Sequence, residues 1–362
     1  MVPVTPLAEK MIALIRKDGP LRLDEFIRMA LTDPEHGYYV AAAPIGAAAD
    51  FITAPEVSQI FGELVGLWCV DRWLAMGQPD PFLLVELGPG RGVLMQDALR
   101  AASQASPQFR AAARLHLVET SVTLRADQRT RLGSYAPSWH VRLDDVPQGP
   151  MVAVANEFFD ALPIRQLRRF GRGWQEQFVV VDAGERLFGR RRDIDYDAGR
   201  DLHPIYQRIP AKIVIEHAPE RSAYALALAT RIAEDGGAAL VVDYGHRGGG
   251  VGSTLQSVRG HDHADVYAQP GAADITTHVD FGALARSAAE SGCRIEGAVD
   301  QGRFLLNLGL AERLDALIRA NPDHAESLRA GAYRLIDEEE MGSLFQALGI
   351  IHPSLGPTPG FQ

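Results

Sequence analysis

Three short stretches carry residue types that could do chemistry. The first is Glu86-Leu87-Gly88-Pro89-Gly90-Arg91-Gly92, directly after the apolar run Phe82–Leu87. Glycines let a ligand lie against bare backbone, and the start of a following helix offers free N–H groups. A dinucleotide fingerprint places its third glycine one position later, where Val93 stands, and Pro89 stiffens the loop. The pattern therefore suits a neutral or zwitterionic nucleoside better than a pyrophosphate. The plain alternative is a tight turn. The second feature is Glu119, thirty-one residues after Gly88, closing the apolar run Leu115–Glu119. A carboxylate there can accept both hydroxyls of a ribose, although an isolated one is an ordinary strand-end cap. The third is Asn156-Glu157-Phe158-Phe159-Asp160-Ala161-Leu162-Pro163, after the run Met151–Ala155. Glu157 and Asp160 are three residues apart, so a helical turn would put both on one face. The structural alternative is a polar helix cap with Phe158 and Phe159 in the core.

The elements that must position these groups are legible in outline. Phe82–Leu87, Leu115–Glu119, Met151–Ala155 and Ala239–Asp243 are apolar throughout and separated by helical stretches. That rhythm predicts a doubly wound, mostly parallel sheet with both faces covered. In such sheets ligands sit at the carboxyl ends of the strands, where all three features fall. Residues 1–76 read as a helical segment lining the cleft, with turns at 33–37 and 44–50. Leu7, Met11, Leu14 and Ile15 have helical spacing, and Thr53-Ala54-Pro55-Glu56 matches a capping box before one helix to about Met76. Residues 165–215 break the rhythm. Phe178–Asp182 and Arg186–Gly189 form hairpin strands about Ala183-Gly184-Glu185, and Lys212–Glu216 is another strand. This stretch is expected to be an inserted antiparallel lobe, leaving 77–164 and 216–362 as the core. Thr277-His278-Val279-Asp280 resembles a second capping box. Arg247–Gly252 reads as a mobile loop near the crevice. His261-Asp262-His263-Ala264-Asp265 carries ligand types without a distant partner and reads as a polar turn, so no metal is expected. Glu216 and His217 are taken as cap or surface residues.

Composition bounds the function. The chain has 362 residues, 46% hydrophobic and 23% charged, an ordinary globular balance. The net charge of −10 disfavours nucleic acid and favours a cationic partner. Two cysteines, Cys69 and Cys293, cannot build a disulfide framework. No apolar run approaches a membrane span, and the N-terminus lacks the apolar region of a signal peptide. The expectation is a soluble cytoplasmic protein. The alanine-rich stretch 223–233 could be core or a homo-oligomer interface.

An acidic-x-Gly-x-Gly-x-Gly loop after one strand, with an acidic residue ending the next, resembles the class I S-adenosylmethionine-dependent methyltransferases. Several segments resemble the MidA-like family within that class, which includes a mitochondrial complex I assembly factor that methylates arginine. They are Asp33–Tyr39, Asp50–Gln59 with Phe61-Gly62-Glu63, Glu86–Gly92, Asn156–Pro163, Asp243-Tyr244-Gly245 and Asp274–Phe281, spanning most of the chain in order. Ala54 stands where the family pattern suggests serine. The resemblance implies that Glu86, Gly88, Gly90 and Gly92 hold the methionine part of S-adenosylmethionine and that Glu119 holds its ribose. Asp144 or Asp145 would lie near the adenine amine, and Asn156 would contact cofactor or substrate.

The reaction that follows is arginine N-methylation of a protein, with a respiratory complex subunit as the implied partner. A guanidinium stays protonated, with a pKa above about 12. Carboxylates on two of its nitrogens would hold the charge away from the attacking one, and one of them could collect the proton. Glu157 and Asp160 are the expected catalytic pair. The rival readings are a nicotinamide-dependent oxidoreductase, which the glycine spacing disfavours, and a non-catalytic assembly factor that kept the fold.

Overall fold

The computed structural model describes residues 4–41, 53–198, 202–207, 209–259 and 262–362. The expected turn at 44–50, the segment Asp50–Ile52 and His261 lie outside these residues. In chain order the strands are β1 (Leu21–Arg22), β2 (Phe82–Leu87), β3 (Ala113–Val118), β4 (Ser138–His140), β5 (Met151–Asn156), β6 (Arg165–Phe170), β7 (Gly173–Val181), β8 (Leu187–Ile194) and β9 (Val214–His217). They continue with β10 (Gly237–His246), β11 (Gln256–Arg259), β12 (Asp262–Ala264), β13 (Asp274–Thr276), β14 (Val279–Asp280), β15 (Arg294–Asp300) and β16 (Phe345–Ile351).

The central sheet runs β15-β16-β10-β5-β2-β3-β4, with β14 also on β10. From β10 to β4 every pairing is parallel, and β16 joins β10 and β15 antiparallel. The strands are apolar throughout because both faces are covered. Leu84, Val152, Val154, Leu240 and Val242 pack with Phe61, Trp68 and Leu94. Their neighbours Val85, Ala153, Ala155 and Val241 pack on the other side with Leu228, Ile232 and Phe281. This is the expected doubly wound, mostly parallel α/β architecture.

A second sheet, β1-β7-β6-β9 with β8 on β7, is antiparallel and includes the expected hairpin. It recruits β1 from the N-terminal helical stretch, where Leu21 pairs with Val179. Two residues of strand between helices carry no period of their own, so the sequence alone does not reveal this strand. The helix Pro6–Asp18 buries Leu7, Met11 and Ile15 as their spacing predicts.

The cap readings need correction. Thr53 makes no side-chain cap bond, and the expected single helix is two, Ala54–Val57 and Gln59–Ala75. They break at Ser58, whose side chain accepts from the Ile60 N–H. Glu56, the intended reciprocal partner, instead lies 3.5 Å from Arg91 of the glycine loop. At the second site Asp280, not Thr277, caps the helix Phe281–Ala289, accepting from the Ala283 N–H. Thr277 is spent on the buried Arg221.

Candidate functional site

The chain turns out of β2 at Gly88, and the helix Val93–Ala105 starts after Gly92. Gly88, Gly90 and Gly92 all have positive φ, at 62°, 51° and 79°. A Cβ on Gly88 would stand 2.9 Å from the Phe158 ring, so only glycine fits both the turn and this close approach. Glu119, just past β3, is buried at 7% exposure. Its Oε1 accepts from the Ser121 N–H at 2.7 Å and its Oε2 from Gln128 Nε2 at 3.2 Å. Burial nonetheless raises its pKa, with those bonds opposing. Gln128 also donates to the Gly90 carbonyl at 2.7 Å, tying the glycine loop to Glu119. Trp139 Nε1 donates to the Gln128 Oε1 at 2.8 Å and fixes the amide's orientation. Gln128 escaped the sequence reading because nothing local marks one glutamine of a helix as a brace.

These groups border a cavity of about 620 Å³. Gly88, Gly90, Glu119, Asp144 and Glu157 line it, with Tyr39 and Phe158. Asp144 sits at its edge beside Arg142, 3.2 Å away. Asp145 instead accepts from the Arg142 N–H at 3.0 Å and does not reach the lining. Glu86, Gly92, Asn156 and Asp160 lie behind the wall rather than on it. Glu86 is 2% exposed with Oε2 unpartnered, and burial beside Glu119 pushes its pKa up to about 8.

The loop after β5 is not the expected helical turn. Glu157 has φ 49°, a left-handed conformation that a non-glycine residue holds only when its surroundings impose it. Its backbone N–H donates to the Val242 carbonyl at 2.9 Å. Its Oε1 accepts from the Ala54 N–H at 3.2 Å and from Asn156 Nδ2 at 3.1 Å. Glu157 and Asp160 are therefore brought together by an irregular loop, not by helix periodicity. Asp243, fully buried in β10, shapes that loop: its Oδ2 accepts from the N–H groups of Phe159 at 2.9 Å and Asp160 at 3.1 Å.

Four carboxylates converge here, since Asp274 joins Glu157, Asp160 and Asp243. Tyr39 donates to Asp274 Oδ1 at 3.3 Å. Burial and mutual repulsion push the Glu157 carboxyl up to about 8. Burial raises Asp160, and burial with repulsion from Asp160 and Glu157 raises Asp243, with the Arg221 guanidinium opposing in both. Arg221, 2% exposed, donates to the carbonyls of Asp160, Leu162 and His278 and to Thr277. Oδ1 of Asp160, Oδ1 of Asn156 and the Tyr244 hydroxyl are buried without a hydrogen-bond partner. Asp243, Tyr244 and Asp274 lie inside recognisable sequence segments, but their convergence is a property of the fold.

Other sequence candidates fall outside this cluster. Glu216 is engaged by Thr254 and Gln166. Gly250–Gly252 border a second cavity of about 180 Å³ with His246, His278 and Asp280. Among the described residues no group of three or more His, Cys, Asp or Glu is placed to hold a metal ion, and no helix is long and apolar enough to cross a membrane.

A glycine loop and a strand-end carboxylate at the carboxyl edge of a mostly parallel sheet define the class I methyltransferase arrangement. Residues 64–299 match the Methyltransf_28 family, described as S-adenosyl-L-methionine-dependent methyltransferases, and the chain belongs to it. It is 37% identical over 392 residues to the mitochondrial protein arginine methyltransferase NDUFAF7 homolog of Drosophila melanogaster, covering 98% of this chain and 88% of that one. It is 34% identical to mitochondrial protein arginine methyltransferase NDUFAF7 of Homo sapiens, covering 96% and 84%. Among solved structures, a COG1565 superfamily protein from Burkholderia thailandensis bound to S-adenosyl-homocysteine superposes with a TM-score of 0.85 at 27% identity, covering 98% and 93%.

S-adenosylmethionine is thus the cofactor, and the cavity suits it. Bare backbone at Gly88 and Gly90 leaves room for the ligand, and the Glu119 carboxylate has spare lone pairs on both oxygens. The cytoplasmic expectation is corrected, because the relatives are mitochondrial proteins.

Proposed function

We propose that this enzyme methylates arginine on a protein partner, and that Glu157 and Asp160 receive the guanidinium. The observation that carries this is three buried carboxylates, Asp160, Asp243 and Asp274, gathered with the half-buried Glu157 about one buried guanidinium, Arg221, beside the cofactor cavity. Such a surplus of negative charge is costly to bury unless a cation arrives. Asp160 Oδ1 and Asn156 Oδ1 add unpartnered acceptors, which a guanidinium with five N–H donors can satisfy.

S-adenosylmethionine, when bound, supplies a methyl group on a sulfonium. Gly88 and Gly90 would flank its amino-acid end with Glu86 and Gly92 behind them, Glu119 would accept from its ribose and Asp144 would lie near its adenine. Asn156 orients Glu157, whose free oxygen faces the substrate. The incoming guanidinium favours the ionised form of Glu157, so the residue releases its proton on binding and is ready to take one back from the methylated nitrogen. We read residues 1–76 as the cleft-lining segment, 165–215 as an inserted lobe, and 77–164 with 216–362 as the catalytic core. The family resemblance extends the proposal to a respiratory complex subunit as partner.

The test is Glu157→Gln. Glutamine is nearly isosteric but cannot take the proton. Removing a general base should lower turnover by roughly 100-fold or more. Affinity for S-adenosylhomocysteine should stay within a few-fold. Incorporation of labelled methyl and calorimetry on one preparation report both, and wild-type turnover in this variant would remove Glu157 from the mechanism.

A further inference from the structure

The chain carries a net charge of −10, yet residues 165–194 hold eight arginines, no lysine and only four carboxylates. These residues are β6, β7 and β8 and their turns. Arg165 is matched by Glu176 and Arg186 by Asp182. Arg168, Arg172, Arg190, Arg191 and Arg192 form no ion pair among the described residues. Arg168 donates to the Gln175 amide oxygen at 2.7 Å and lies 5.7 Å over the Phe170 ring. Arg192 lies 5.6 Å over Phe178. Arg191 is half-buried with Nη1 unpartnered, and burial beside Arg168 lowers its pKa. Phe170 at the β6–β7 turn is 48% exposed.

Elsewhere in the molecule, Arg100 and Arg313 both reach Glu63, and Arg294 reaches Glu296. An acidic chain has carboxylates enough to neutralise its arginines, and on this lobe it does not. β8 is bonded on one side only, to β7, so its arginines border an open sheet edge. β6 follows the loop Asn156–Pro163 directly, so the basic sheet is joined without a linker to the residues that line the cavity.

We infer that the face of β8 bearing the exposed Arg190 and Arg192, with Arg172 at the adjoining β6–β7 turn, is a docking surface for an acidic segment of the protein substrate. The inference rests on the protein-substrate reading above. Charge complementarity selects the occupant. Planar guanidinium groups bind carboxylates with two parallel N–H donors, and β6–β8 use arginine alone as their cation. The exposed Phe170 at the turn and Phe188, on the same face as Arg190 and Arg192, suit a polypeptide that brings carboxylates and apolar contacts together. The two halves of the enzyme then recognise opposite charges on one partner: an arginine at the acidic site and acidic residues on the lobe. A partner with that dipole binds in one orientation, which is how charge pattern sets register and association rate.

The test uses the full-length chain with S-adenosylhomocysteine bound. The probes are a fluorescent ten-residue glutamate peptide, the same peptide in lysine, and vesicles with anionic phosphatidylserine. The glutamate peptide should bind, and binding should weaken by at least about tenfold in Arg172→Ser/Arg190→Ser/Arg192→Ser, since several exposed ion pairs are lost together. It should also weaken steeply with salt, as exposed charges are screened beyond about 8–10 Å. All three positions are exposed, so the fold should persist, and unchanged S-adenosylhomocysteine affinity checks that. Equal binding of the glutamate peptide by wild type and variant overturns the inference, as does preference for vesicles over the peptide. The methyl-transfer reading is judged separately, on a short peptide whose single charged side chain is one arginine. If the variant methylates that peptide at the wild-type rate while glutamate binding is lost, both stand. If neither protein methylates it, the arginine reading fails whatever the lobe binds.

Discussion

The cofactor half of the site and the substrate half are built by different rules. On the cofactor side Gly88, Gly90 and Glu119 come from two adjacent parallel strands and the turns that leave them. Backbone geometry supplies most of the site, with Gln128 bracing the glycine loop to Glu119. On the substrate side the groups come from distant stretches of chain: Tyr39, Ala54, the 156–160 loop, Arg221, Asp243 and Asp274. Their charges are the reverse of self-sufficient, because three buried carboxylates and the half-buried Glu157 gather about one arginine. One half is a preformed cradle for a molecule of fixed shape. The other is a surplus of carboxyl groups, which on the proposed reading a cationic substrate would relieve.

This contrast can be broken from the cofactor side first. Gly90→Val should abolish S-adenosylhomocysteine binding, the largest effect expected. At φ 51° a branched side chain is strained by about 1–2 kcal/mol and would also stand between backbone and ligand. Full affinity by calorimetry would show that the loop is only a turn. Glu119→Ala should cost less, because it removes two charge-assisted hydrogen bonds worth about 1.5–3 kcal/mol each. A fall of at least about tenfold follows, since roughly 1.4 kcal/mol is a factor of ten. Glu119→Gln should lose less than alanine. An unchanged dissociation constant for the alanine variant would make this carboxylate a strand-end cap.

The smallest effect sharpens the other half. Glu157 has its carboxyl raised to about 8, so in the substrate-free site it is mostly protonated at neutral pH. A cationic arginine peptide should therefore bind more tightly as pH rises toward about 8, releasing a proton measurable by calorimetry in buffers of different ionisation enthalpy. The same shift acts on stability with the opposite sign. The folded state holds the Glu157 proton more tightly than the unfolded chain does. This contribution to stability is therefore complete below the ordinary carboxyl range and is lost as pH climbs from there to about 8. Glu157→Gln should flatten the pH dependence of peptide binding and should not lower Tm at pH 8. A peptide affinity independent of pH in the wild type would place the cation elsewhere.

Much of the cofactor half was legible because each part is local. β2 and β5 were marked by unbroken apolar runs, and the glycine loop and Glu119 follow such strands within a residue or two. The family resemblance supplied the role of Asp144 and the reaction. Reading failed where a residue's job depends on a remote partner. Thr53 and Thr277 look like helix caps, yet the first makes no cap bond and the second serves Arg221, a residue that nothing in its own neighbourhood marks. Glu157 and Asp160 were paired for a helical reason that the loop does not obey, because the Asp243 carboxylate gathers the Phe159 and Asp160 N–H groups that a helix would have used.

The amino-acid order by itself determined the strand runs, the sheet they form, the glycine turn and the acidic balance of the chain. These follow from side-chain period and backbone freedom, which act over a few residues. Only the tertiary structure decided which carboxylates share one space, that Arg221 is the cation among them, and that Arg172, Arg190 and Arg192 of the lobe form no ion pair among the described residues. Desolvation and Coulomb energy depend on distance through space, and no spacing along the chain encodes that distance until the fold has closed.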